Sequence, residues 1–150
     1  GLRQALAECL AEHPGYRFIF SGISHGASLA QAACLRFKLA APTAQAEAVT
    51  WNAYKWTDSD GSALAGRVLG DNMLPLALTQ WIPGRGGKVG YRCWDSISGI
   101  PADYEPLPQL RLLDVDTGIF MSCEAQDDCP GRSTLTWHYF KRLWRLHYAA

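Results

Sequence analysis

The sequence predicts an α/β domain, a mostly parallel sheet flanked by helices. Three observations point there. Helical and extended patterns alternate over the first two thirds of the chain, and alternation of this kind builds parallel sheets through right-handed crossovers. The 150 residues are enough for one domain with its own core. The hydrophobic fraction is 48% against 19% charged, the balance of a folded chain and not of a disordered one. There is no internal repeat and no low-complexity tract.

Taken in order, Leu2, Ala5, Leu6, Cys9 and Leu10 recur at helical spacing, and "HPG" closes that helix. "YRFIFSG" (16–22) is a short buried strand. From Gly26 the positions Ala30, Ala33, Cys34 and Phe37 form a helical stripe of mostly small residues, stopped by Pro42. Small residues let a helix lie close on a sheet. "EAVTWNAY" (47–54) is a second strand and "GSALAGRVLG" (61–70) a helix. "DNMLPLALTQWIPGRGG" (71–87) fits no single pattern. "KVGYRCW" (88–94) is the third strand, ending at Asp95. "ISGIPADYEPLPQ" (97–109) is a proline-rich loop. "LRLLDVDTGIFMSC" (110–123) is a hairpin turning near residues 116–118. "STLTWHYFKRLWRLHY" (133–148) is a final amphipathic helix that Ser133 or Thr134 can cap.

Bulk properties narrow the function. Lys plus Arg and Asp plus Glu both number 14, so the formal charge is zero. This argues against a nucleic acid or an anionic membrane surface as partner. No apolar run approaches the roughly 20 residues of a transmembrane helix, and no signal peptide is legible. The start at Gly1 in place of Met suggests processing, an arbitrary boundary or further upstream chain. Cys9 and Cys34 fall on apolar helix faces as small buried hydrophobes. Cys123 and Cys129 flank "EAQDD" and can close a loop in an oxidising compartment. No cysteine or histidine spacing of zinc type occurs, so no metal and no cofactor is assigned.

The chemistry-bearing motif is Gly22-Ile23-Ser24-His25-Gly26, which fits G-x-S-x-G. A strand precedes it and a small-residue helix follows, the context this motif requires. The serine then stands at the apex of a strained strand-to-helix turn, with glycines on both sides leaving room for strand and helix to pass closely. The helix N-terminus favours a developing oxyanion, and the His25 N–H is one donor. Such a serine needs a base and the base an orienting carboxylate, in the order Ser, acid, His. Asp95 is the favoured acid because strand ends on one edge converge. Asp71, Asp58 and Asp60 are alternatives. His138 is the favoured base, with His147 further on; His13 is a surface helix end.

"FIFSGISHGASLAQAACLRF", "VTWNAYKWTDSDG", "YRCWDSISGIP" and "STLTWHYFKRL" together resemble the fungal-type class 3 lipases, a branch of the α/β-hydrolases. The resemblance implies an α/β-hydrolase-like fold and a serine ester hydrolase acting on acylglycerols or other carboxylic esters. It assigns Ser24 as nucleophile, Asp95 as triad acid and the region of His138 to the base. It also implies that the chain corresponds to the C-terminal portion of that domain, without the N-terminal strands and lid. An upstream segment or a protein partner would then complete it. The chain differs from the family in carrying His25-Gly26-Ala27 where Leu and two glycines are usual, and Asn52-Ala53-Tyr54 where Gly-x-Pro is common. Residues 71–87 look like an insertion. The alternative expectation is a catalytically silent lipase-like domain serving as a structural or interaction subunit, with the six tryptophans as interface anchors.

Overall fold

The computed structural model describes residues 1–82, 87–89, 101, 103–114, 117–118 and 120–122. Helix α1 (Leu2–Glu12) leads into strand β1 (Phe18–Ile23), helix α2 (His25–Ala40), strand β2 (Ala46–Trp51) and helix α3 (Ser59–Leu69). A short 3-10 turn, Gly70–Asn72, then opens β3 (Met73–Ile82). Strands β4 (Gly87–Val89), β5 (Arg111–Asp114) and β6 (Phe120–Ser122) follow. The sheet runs in the order β1-β2-β3-β5-β6, with β4 paired to β3. Strands β1, β2, β3 and β5 are mutually parallel, and β4 and β6 are antiparallel to their neighbours. The fold is α/β, as the alternation predicts.

The strand period of two decides which side chains meet the helices. Register places Phe20, Ala48 and Met73 in one row across β1, β2 and β3. This face packs on α2 and α3, which touch each other. Cys34, Leu35 and Phe37 of α2 and Ala65 and Leu69 of α3 join Ala46, Ala48 and Met73 in one core. Phe37 meets Phe18 and Phe20 with ring centroids 4.8 and 5.8 Å apart. Leu6 and Leu10 of α1 pack on the same cluster. Alanine at 46 and 48 lets α2 approach closely. The alternate positions form the other face, where Ile19 is 63%, Leu74 44% and Ile23 38% exposed.

Three sequence expectations change. Residues 71–87 contain β3, a strand between β2 and β5, and not an insertion. The third parallel strand is therefore Met73–Ile82. The strand expected at 88–94 is described only through Val89, where it pairs antiparallel with β3. The proline-rich loop is docked: Leu107 and Leu110 are buried, and the Ser62 hydroxyl of α3 donates to the Pro106 carbonyl at 2.8 Å. The expected hairpin is present, with Leu113 opposite Phe120 and Gly118 at φ +70° in its turn.

Candidate functional site

The site is built at the carboxyl edge of the parallel strands, where open α/β sheets bind ligands. Strand β1 ends at Ile23 and α2 begins at His25, so Ser24 alone makes the turn. Its backbone sits at φ 57°, ψ −129°. Positive φ is unusual for a residue with a Cβ and costs about 1–3 kcal/mol. Close packing sustains it. A Cβ on Gly22 would lie 2.5 Å from the Gly26 carbonyl oxygen and 2.8 Å from the Ala27 nitrogen, so only glycine fits there. Gly26 differs from expectation: a Cβ on it would meet nothing within 4 Å. Of the two motif glycines, only Gly22 is required by the crossing of strand and helix.

Ser24 occupies the N-cap position of α2, yet its side chain makes no capping bond. The hydroxyl instead donates toward the Tyr54 phenol oxygen, 3.4 Å away, in a half-buried setting. The Ser24 N–H donates to the Trp51 carbonyl at 3.0 Å, which ties the turn to β2. His25 is exposed and is the first helical residue. Its N–H belongs to the first turn, whose donors have no carbonyl within the helix.

Beside this turn lies a second one. Asn52 follows β2 as Ser24 follows β1, and it also has positive φ, 51°. It is buried, and its N–H donates to the Leu76 carbonyl at 2.7 Å. The chain then folds back, so that Tyr54 reaches Ser24. The Ser28 hydroxyl of α2 donates to the Tyr54 carbonyl at 3.0 Å and fixes that return. Beneath it, the Trp56 indole N–H donates to Gln31 Oε1 and Gln31 Nε2 donates to Thr50 Oγ1, each at 2.7 Å. Gln31 and Thr50 are fully buried side chains.

The predicted residues distribute as follows. Asp95, His138 and His147 lie outside the described residues, as do Cys93, Cys123 and Cys129. Asp71 is removed as an alternative acid. It sits before β3, at the amino edge of the sheet, whereas Leu76 is level with Ile23 through Trp51. Met73, where β3 begins, is level with Ala48 and Phe20, three residues or about 10 Å down the strands from the Ser24 edge, and Asp71 lies in the 3-10 turn before it. Asp58 caps α3, accepting from the Gly61 N–H at 2.9 Å, and Asp60 is exposed in that helix's first turn. His13 ends α1 and stacks on Tyr16, a surface helix end as expected. Cys34 is buried, and that burial pushes its thiol up to about 11, so it is a packing residue and not a nucleophile. Among the described residues no group of His, Cys, Asp and Glu is placed to hold a metal ion. No described helix is long and apolar enough to cross a membrane.

Tyr54, Ser28 and Gln31 are the site residues that sequence reasoning missed. Gln31 carried a usable signal, a polar side chain inside a small apolar stripe. Tyr54 carried none beyond its place just past a strand. Comparison with protein-family models and with curated proteins gives no match.

Proposed function

We propose that the chain is a serine ester hydrolase with Ser24 as nucleophile, of the class 3 lipase kind that its motifs resemble. One observation carries this reading: a strained serine at the carboxyl edge that forgoes the capping bond its position offers. Backbone strain of this kind collects where function requires it. In the reaction, Ser24 Oγ bonds to the acyl carbon while its proton passes to the base, His138, which Asp95 orients. The carbonyl electron pair moves to oxygen, beside the His25 N–H. Collapse breaks the bond to the alcohol, which leaves with the proton. Water then repeats the sequence on the acyl-enzyme, releases the carboxylic acid and restores the serine. Acylglycerols or other carboxylic esters are the substrates that the resemblance suggests.

A fluorophosphonate probe tests the reading. It should label the full chain at Ser24 and fail on Ser24→Ala. A folded chain that takes no label would overturn it. One observation favours the second reading, a catalytically silent lipase-like domain serving as a structural or interaction subunit. One sheet face exposes Ile19, Ile23 and Leu74 beside Ser21 and Glu47, and exposed large apolar side chains suit burial against a partner. An unlabelled chain would favour that reading.

A further inference from the structure

We propose that Tyr54 is a catalytic hydrogen-bond donor to Ser24 Oγ, supporting the charge that this oxygen carries on entering and leaving the acyl bond. This inference rests on the reading of Ser24 as nucleophile. Three features build the contact. Asn52, at φ 51°, reverses the chain after β2. The Ser28 hydroxyl holds the Tyr54 carbonyl at 3.0 Å, and Ser28 lies one turn into the helix that Ser24 opens. The phenol oxygen then stands 3.4 Å from Ser24 Oγ. One helix therefore positions both hydroxyls.

The distance is informative. At 3.4 Å the contact is longer than a mature O–H···O bond, whereas a bond to a charged oxygen closes to about 2.5–2.7 Å. Each hydroxyl can donate or accept. With Ser24 protonated, its own hydrogen points to the phenol. Once that proton goes to the base, the phenol turns to donate to Oγ. The interaction is thus stronger with the charged oxygen than in the resting site, and only such a difference accelerates a reaction. In deacylation the same donor stabilises Oγ as the acyl carbon–Oγ bond breaks; the proton it finally takes comes from the base, and the phenol keeps its own.

Tyr54→Phe removes one oxygen and keeps the ring. Loss of a single hydrogen bond to a charged group is expected to slow both fluorophosphonate labelling and kcat about 10- to 100-fold. KM for a short-chain ester and the melting temperature should stay near the wild-type values. A Tyr54→Phe chain that reacts within about twofold of wild type overturns the inference and leaves the Ser24 reading intact. Fluorotyrosines of graded acidity at position 54 provide a second measurement with unchanged shape. Rates should rise with phenol acidity, and rates indifferent to it overturn the inference even where Tyr54→Phe does not fold. A wild-type chain without label at Ser24 is a different failure: it overturns the nucleophile reading, and the role of Tyr54 with it.

Discussion

Helices α2 and α3 start in opposite ways. Asp58 precedes α3 in extended backbone, φ −73°, ψ −174°, and its carboxylate accepts from the Gly61 N–H at 2.9 Å. Ser24 precedes α2 at positive φ and makes no capping bond. A cap of the Asp58 kind is worth about 1 kcal/mol, and the Ser24 strain costs about 1–3 kcal/mol more. Helix α2 tolerates that loss because its other face is buried: Ala27, Ala30, Cys34, Leu35 and Phe37 pack against sheet and core. One helix is held from its first turn, the other from its side. The Ser24 hydroxyl turns from the helix end toward Tyr54.

The sharpest way to break this comparison is Ser24→Ala. Labelling at residue 24 should vanish entirely, while the melting temperature falls far less than in Gly22→Ala, since no cap is lost. A large fall in stability would mean that Ser24 is structural after all. Next is Gly22→Ala against Gly26→Ala. The first drives a methyl into the Gly26 carbonyl and should cost about 3 kcal/mol by denaturant titration. The second meets open space and should be neutral or slightly stabilising.

If α2 is held from its side, charging its buried face should hurt where deleting Ser24 does not. Cys34 is raised to about 11 in the fold by desolvation, from 9.0 when exposed. The folded state therefore keeps the proton longer than the unfolded chain. Its contribution is complete below pH 9 and drains away as pH climbs to about 11. Melts across that range should show a decline that Cys34→Ala lacks. The smallest loss of stability is that of Asp58→Ala, about 1 kcal/mol by denaturant titration.

The elements legible in the sequence are those with a clean period. The α2 stripe and the β5–β6 hairpin were both readable, because side-chain alternation or turn chemistry marked them. Strand β3 was not, for two reasons. The alternation of buried Met73, exposed Leu74 and buried Pro75 breaks off at once, because Leu76 and Ala77 are buried in succession. Proline also argues against an interior strand. Here Pro75 is accommodated because β5 pairs with β3 only from Leu76 onward. The Leu76 carbonyl faces β2, where it accepts from Asn52, so the ring nitrogen of Pro75 faces the side with no rung to fill. At the site, Ser24 and Gly22 could be read from local spacing. Tyr54 could not, because its approach depends on a backbone reversal at Asn52 that nothing in the neighbouring residues announces.

The buried chain from Trp56 through Gln31 to Thr50 has a consequence for observation. An indole hydrogen held by a buried amide exchanges slowly with solvent, and indole resonances stand apart from the backbone in a proton spectrum. The Trp56 signal therefore acts as a built-in clock for the seating of α2 on β2. Its exchange rate reads how often the helix that begins at Ser24 lifts from the sheet, with no label placed near the serine.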